Sequence, residues 1–544
     1  MKKNIQTRKA LYLAITAASQ LILTPQVLAG PEGGRVVGGS GSIAQSGLNT
    51  TIQQQTDRMA IDWQSFNVAA DERVQFIQPS SSSLSLNRVL SHAGSEIHGR
   101  IEANGHILLV NPNGVFFGEN SHINVGGMIA SGLGIDPAEF MNGEFTLTSL
   151  QGSEGKVINA GIINAATGGS VSLIGQQVKN EGVISARLGA VNLAAGKEAV
   201  VTFDQQGLVG VRITKEILQD ELGVDAALIN SGEISAEGGR ILLSASTSQD
   251  IFSQAVNHGE LNSANSVVMH EDGSFTLGAG ADVINTGSLD VSSSLGDAGQ
   301  IVVIGENITH SGQVRANTGT GNAGNIELHS VDTTRLTVSA NIAAEAAGTG
   351  GKINILGNKV GLFDEAQVSV SGTHGGGEVL VGGDESGTNT RIRNADFIYL
   401  GQDTQISADG ILDGHGGKII TFASDTARIH GELSARGGEF GGNGGFIETS
   451  GLKGFELSST PRISSPTANG GTWLIDPYNI SISSNDTNNI PLVDNVFTSS
   501  ETGSVVYFDT LKAVLNSAGN EGVVIVRTGA GGDGEGNISL LSNL

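Results

Sequence analysis

Gly350-Gly351-Lys352-Ile353-Asn354-Ile355 and, further on, Gly376-Gly377-Glu378-Val379-Leu380-Val381 carry one phrase, a glycine pair before a short apolar run. It returns as Gly416-Gly417 before Ile419-Ile420, Gly444-Gly445 before Phe446-Ile447, and Gly470-Gly471 before Trp473-Leu474-Ile475. The second glycines stand at 351, 377, 417, 445 and 471, in steps of 26, 40, 28 and 26 residues. Earlier copies are Gly168-Gly169 before Val171-Ser172-Leu173 and Gly238-Gly239 before Ile241-Leu242-Leu243. A second phrase, Asn-x-Gly before an aliphatic residue, recurs at Asn159-Ala160-Gly161, Asn180-Glu181-Gly182, Asn230-Ser231-Gly232 and Asn285-Thr286-Gly287. The spacing wobbles, so this is a degenerate repeat with loop insertions.

A unit of roughly 20–28 residues cannot enclose a core alone, but stacked units can. Each unit reads as about three strands of three to five residues with alternating faces. The expected fold is all-β: a right-handed parallel β-helix, a solenoid with an N-terminal cap and short extra-helical excursions. Glycine and asparagine are expected at φ > 0 corners, and asparagines at matching corners can form side-chain amide ladders. About twenty rungs at ~4.8 Å would make a rod on the order of 100 Å long. A β-propeller would need blades of ~40–50 residues with recurring aromatics, and four Tyr and two Trp are too few. One stretch reads as a helix on the side of the coil: Thr214 as cap, Ile213/Ile217 and Leu218/Leu222 at i, i+4, and Gly223 as terminator.

Composition narrows the class further. Glycine supplies 80 of 544 residues, and the formal charge is −25. Too many aliphatics exclude disorder, and the lack of a three-residue glycine period excludes collagen. A net acidic surface lacks the basic stripes that nucleic acid requires and disfavours anionic lipid. The chain has no cysteine, so stability rests on burial and backbone pairing. Lys2, Lys3, Arg8 and Lys9 precede an apolar run from Ala10 to Leu23, and Val27-Leu28-Ala29 follows. That is the layout of a secretory signal peptide over residues 1–29, cleaved after Ala29. No later stretch is apolar enough to span a bilayer, so no stable membrane insertion is expected.

Ile61-Asp62-Trp63-Gln64-Ser65-Phe66-Asn67, Asn87-Arg88-Val89, Ala103–Val110 and Asn111-Pro112-Asn113-Gly114-Val115 closely resemble the secretion domain of filamentous haemagglutinin. The resemblance extends to other two-partner-secretion (TpsA-type) exoproteins, including the high-molecular-weight adhesins. It runs on through Gly382-Gly383-Asp384, Gly437–Gly451 and Trp473-Leu474-Ile475-Asp476-Pro477, nearly the whole chain. It implies a two-partner secretion domain over residues 30–280 and a β-helical adhesive stalk over 281–544. It also implies recognition by a cognate TpsB-type outer-membrane transporter with periplasmic POTRA domains and a β-barrel. Asn111, Pro112, Asn113 and Gly114 match the family motif, and Asn87 and Arg88 stand where relatives keep Asn-Arg-Val. The family's second phrase, Asn-Pro-Asn-Leu, is missing. Two roles are open to the Asn-Pro-Asn-Gly corner: contact with the transporter, or stabilising the coil without touching it. Pro112 fixes φ and Asn113-Gly114 favour a reversal, so Leu108–Val110 and Val115–Phe117 are expected to stack as successive strands.

Glycan-cleaving β-helices need clustered carboxylates and basic residues on one face, and no such cluster is visible. Gly319-Gly321-Gly324 and Gly529-Gly531-Gly534 match a phosphate-loop spacing but precede strands, not helices. His92, His98, His106 and His122 form the densest histidine group without metal-ligand spacing. The expectation is therefore a secreted or surface-exposed adhesin, with no enzyme activity, cofactor or metal, that binds a host-cell receptor or glycan. The alternatives are the stalk of a contact-dependent toxin carrier and a haem/haemopexin-binding exoprotein. Asn537–Leu544 ends in a strand-rich phrase without a polar cap, which reads as a truncated C-terminus.

Overall fold

The computed structural model describes residues 30–203, 209–215, 217, 226–245, 267–269, 275–277, 281–338, 340–483, 504–528 and 538–540. The expected signal peptide, the Leu218–Gly223 part of the expected helix and the second phosphate-loop match lie outside the described residues.

The described chain opens with three short strands, β1 (Arg35–Gly38), β2 (Gly41–Ser46) and β3 (Asn49–Gln54). β1 pairs antiparallel with β4 (Arg58–Trp63), and β2 pairs antiparallel with β3. This is the N-terminal cap, which replaces an open parallel edge with hairpins. β3 then pairs in parallel with β5 (Arg73–Ile77). The first full rung is β6 (Leu84–Val89), β7 (Ser95–Ile97) and β8 (Arg100–Ala103). The second is β9 (His106–Val110), β10 (Val115–Phe117) and β11 (His122–Val125). The third uses β12 (Gly127–Ser131), leaves the coil through helix α1 (Pro137–Asn142) and β13 (Thr146–Thr148), and returns as β14 (Lys156–Asn159) and β15 (Ile162–Ala165). β9 lies between β6 and β12, β10 between β7 and β14, and β11 between β8 and β15, all in parallel. The pattern repeats along the chain as a right-handed parallel β-helix. Among the described residues fifteen strands stack on the first face, from β4 to Val523–Val526. At ~4.8 Å per strand the coil is about 70 Å long. The expected ~100 Å was too great because excursions take up chain that repeat arithmetic assigns to rungs.

Alternation fills the interior with aliphatic columns. On the first face one column runs rung to rung from Ile107 through Met128, Val171, Val191 and Ile241 to Ile353 and Trp473, each at most 1 % exposed. Burying an aliphatic side chain of this size stabilises by roughly 1.5–3 kcal/mol, but only if a rung above and below closes the column.

The glycine pairs are explained by close approach. A Cβ at Gly377 would lie 2.1 Å from the carbonyl oxygen of Gly351, and one at Gly417 would lie 2.1 Å from that of Gly377. The same contact recurs at Gly445 over Gly417 and Gly471 over Gly445, both at 2.1 Å. A left-handed backbone is not what selects the second glycine. Positive φ belongs to first members such as Gly168 (79°) and Gly238 (68°), and no described asparagine has one. The φ > 0 expectation for asparagine is thus corrected: these residues sit in extended backbone and serve through their amides. Asn159 donates to Asn180, Asn180 to Asn230 and Asn230 to Asn285, each Nδ2 to Oδ1 at 2.8 Å. All four are 0–2 % exposed, so the expected amide ladder runs inside the coil at one corner.

Of the helix expected after Thr214, only the cap itself, Lys215 and Ile217 fall among the described residues; the segment that leads into it is a strand. Val209–Lys215 pairs antiparallel with Glu198–Phe203, which pairs with β13. Thr214 lies in that strand and donates its hydroxyl to Glu198 Oε1 at 2.7 Å. Val209, Val211 and Ile213 alternate inward, each at most 8 % exposed. These strands and α1 cover the outer side of the first rungs, where Leu86, Leu108 and Ile129 are buried against Phe140, Leu147 and Val201. α1 starts because Asp136 Oδ1 accepts from the amide of Ala138 and Pro137 presets the first turn; it stops at Gly143, with φ 91°.

Candidate functional site

The Asn-Pro-Asn-Gly motif forms the corner between β9 and β10. The amide of Gly114 donates to the carbonyl of Asn111 at 2.9 Å, closing a β-turn, and Gly114 takes φ 110°. The turn does not fold the flanking strands onto each other, as a reversal would. β9 and β10 belong to one rung and pair only with rungs above and below. The expected direct stacking of Leu108–Val110 on Val115–Phe117 is therefore corrected to a corner, because parallel neighbours claim both edges of each strand.

Asn111 is 0 % exposed. Its Nδ2 donates to the carbonyl of Ala93 at 3.0 Å and to Ser95 Oγ at 3.1 Å, and its Oδ1 accepts from the amide of Asn113 at 3.0 Å. It ties its own corner to the corner one rung below. Asn113 repeats the tie with a 2.8 Å bond to the carbonyl of Ser91, and the carbonyl of Pro112 accepts from Gly155 one rung above at 3.0 Å.

Asn87 and Arg88 are adjacent in β6 and therefore face opposite ways. Asn87 points into the coil between Ile61 and Leu109, is 0 % exposed and accepts the indole N–H of Trp63 at 3.0 Å. Arg88 points outward and makes a two-pronged pair with Asp62, Nε to Oδ1 at 2.9 Å and Nη2 to Oδ2 at 3.0 Å.

Arg88, Pro112 and Asn113 come together on one surface groove of about 560 Å³, between the coil corners and the excursion. Its other walls include Leu90 and Leu150, which are 54 % and 53 % exposed, and His92. Asn111 supports the groove from beneath, and Asn87 lies apart from it. Sequence reading missed Leu90, Ile135 and Leu150. The signal that could have found them is Asp136-Pro137 with Gly143, a cap-and-stop pattern that places a helix beside the third rung.

The histidines do not converge. His98 packs edge-on against Phe116 at 5.8 Å, His122 Nδ1 bonds the carbonyl of Asn120, and among the described residues no three metal-ligating side chains gather. His106 packs edge-on against Phe203 under the excursion, and burial holds its imidazole below the ordinary histidine range. Among the described residues no helix is long and apolar enough to cross a membrane.

Residues 29–291 match the TPS secretion domain family. The heme/hemopexin-binding protein of Haemophilus influenzae strain Rd is 34 % identical over 223 residues, 40 % of this chain and 23 % of that protein. A second heme/hemopexin-binding protein of Haemophilus influenzae is 41 % identical over 81 residues, 15 % of this chain and 9 % of its own. The chain thus spans under a quarter of the length of the curated relatives it matches. The crystal structure of the HMW1 secretion domain from Haemophilus influenzae has a TM-score of 0.59 at 27 % identity, covering 82 % of this chain and 100 % of that one. Exoproteins with this domain are secreted or surface-exposed. The chain carries a TPS secretion domain over residues 29–291 and with it belongs to the TpsA-type two-partner-secretion exoproteins.

Proposed function

We propose that this chain is a bacterial adhesin, exported after signal-peptide cleavage at Ala29 and passed across the outer membrane by a cognate TpsB-type transporter with POTRA domains and a β-barrel. Residues 30–280 address the chain to the transporter, and residues 281–544 are the β-helical stalk that holds binding sites for a host-cell receptor or glycan away from the cell. The reading is carried by the TPS secretion domain match, which covers the corner where Arg88, Pro112 and Asn113 share a groove. In that groove the accessible residues touch the transporter, while Asn111 and Gly114 hold its corner from inside and Asn87, apart from it, fixes the neighbouring strand through Trp63.

Export needs no ATP in this scheme. Each emerging rung buries apolar columns and satisfies its ladder hydrogen bonds against the rung before it, so folding outside biases the chain outward. A proline at Ile241, in the middle of a first-face strand, removes one ladder bond and breaks a column. Co-expression with the transporter should then leave residues after 241 inside the cell, reached by protease only after lysis. Normal surface exposure of that variant would count against folding-driven export.

A second reading, a haem- or haemopexin-binding exoprotein, is favoured by the 34 % identity to a heme/hemopexin-binding protein. Absorbance titration of the secreted product with haem, alongside host-cell and glycan-array binding, separates the two. Saturable haem binding without cell binding selects the second.

A further inference from the structure

The rungs on either side turn from the first face to the second through a short corner, as at Gly357-Asn358 between Lys352–Leu356 and Lys359–Leu362. Between Glu378–Val381 and Ala395–Leu400 the chain instead makes a long loop, residues 382–394. This loop accounts for most of the excess of the step from Gly377 to Gly417 over the shorter steps around it. It folds back over the outside of the coil, where Leu380, Ile420 and Phe422 are at most 1 % exposed beneath it and Ile392 packs on them. Outward positions of a solenoid normally meet solvent, so this apolar patch depends on its cover.

What fastens the cover is a carboxyl group. Glu448 takes the next outward position on the first face, one rung beyond Ile420, and is 0 % exposed. The backbone amide of Ser386, in the loop, donates to Glu448 Oε1 at 3.2 Å and Oε2 at 3.0 Å, and Ser450 Oγ donates to Oε1 at 2.9 Å. Ser386 makes these bonds from a left-handed backbone, φ 55°, which a serine rarely adopts. The loop is therefore held down against its own strain.

The charged groups around Glu448 come from the loop and from the rungs on either side. The loop brings Asp384 and Glu385, with Lys418 paired to Glu385 at 2.9 Å. Glu378 lies near Lys418 on the neighbouring rungs. The following rung brings Asp476, 5 % exposed, which pairs with Arg527 Nε at 2.6 Å; Arg527 also bonds Ser386 Oγ. Burial raises the Glu448 carboxyl to about 7, with smaller contributions from Asp476 and Glu385, against the bonds from Ser386 and Ser450 that lower it.

We propose that residues 382–394 are a strap that stays closed while Glu448 is protonated and lifts when it ionises, uncovering Leu380, Ile420 and Phe422. The sign follows from linkage. The closed state favours the neutral acid and the open, hydrated state an ordinary carboxylate. Closure is fullest below the open-state value and weakens as pH rises through about 7. The opening equilibrium gains at most about two orders of magnitude across that window.

Hydrogen exchange of the full secreted chain tests this, read on peptides spanning 383–394 and corrected for intrinsic exchange rates. In the wild type, protection of the strap should fall between pH 5 and 8 while that of Ile353–Leu356 stays constant. Glu448→Gln, which cannot ionise, should give strap protection independent of pH. Asp476→Asn removes a negative charge that raises the Glu448 value and should move the wild-type transition to lower pH, and it serves if Glu448→Gln fails to fold. A wild-type strap with pH-independent protection, a Glu448→Gln strap with wild-type pH dependence, or an unmoved transition in Asp476→Asn would overturn the proposal.

Discussion

Nδ2 of Asn285 donates to Nδ1 of His310 across 2.8 Å, and the ladder of buried amides passes to an imidazole there. An amide nitrogen can only donate, so the neutral tautomer with its proton on Nε2 accepts this bond at Nδ1, which also lies 3.1 Å from the carbonyl of Asn285. One rung on, the same position is Leu336, and the ladder ends. His310 is the point at which a polar column gives way to an apolar one.

Burial presses the His310 imidazole down to about 4 from its ordinary 6.5. A depressed folded value means the neutral form is favoured in the coil. Its contribution is complete above pH 6.5 and is lost as pH falls through 4. Thermal melting from pH 7.5 to 4 should show a falling midpoint. His310→Asn, which extends the ladder with another amide, should flatten part of that fall. His310→Ala leaves Asn285 without an acceptor and should lower stability by roughly 1–3 kcal/mol at neutral pH. An unchanged acid dependence in His310→Asn would mean that other groups control it.

The glycine columns are a steric requirement, and this separates two substitutions that look alike. Gly417→Ala would put a methyl group 2.1 Å from the carbonyl of Gly377 and force two rungs apart. Gly152→Ala, in the excursion, meets nothing within 4 Å and carries only the strain of φ 80°, about 1–2 kcal/mol. The first should melt well below the second, with loss of β signal in far-ultraviolet circular dichroism. Equal melting would remove close stacking as the reason for the repeat.

At the secretion corner, burial and access divide the motif. Asn111→Ala strands the carbonyl of Ala93, Ser95 Oγ and the amide of Asn113. The purified domain should lose roughly 1–3 kcal/mol, with secretion falling as a consequence. Leu90→Ser with Leu150→Ser changes only the exposed lips of the groove. Melting should stay within about 0.5 kcal/mol of wild type, while secretion by the transporter drops. Full secretion of the double variant would leave the groove without a role in recognition.

What could be read from the sequence was whatever repeats locally. Gly350-Gly351 and Gly376-Gly377 announce the coil because every rung meets the same steric demand, and Asn159, Asn180, Asn230 and Asn285 announce their ladder for the same reason. Asn87 shows the limit. A polar residue beside Arg88 reads as surface, yet it lies in an interior column because Trp63, two dozen residues earlier, needs an acceptor for its indole. Arg88, Pro112 and Asn113 were singled out by motif, but their shared groove depends on α1 and β13, whose placement no repeat specifies. Glu448 reads as one more turn acid, and its burial depends on Ser386, 62 residues away.

Register between rungs is the premise under all of this, and the chain lends itself to a direct measurement because it has no cysteine. Lys352 and Glu378 are register partners on adjacent rungs, with Nζ 3.0 Å from Oε1, while Lys418 lies one rung further from Lys352. Adjacent parallel strands place paired Cα atoms ~4.8 Å apart, within disulfide reach, and strands two apart at twice that distance, beyond it. Oxidation of the purified Lys352→Cys/Glu378→Cys variant should give an intramolecular disulfide in nearly all molecules, while Lys352→Cys/Lys418→Cys should remain free thiols. Failure of the first pair to close, or closure of both to the same extent, would contradict the stacked coil.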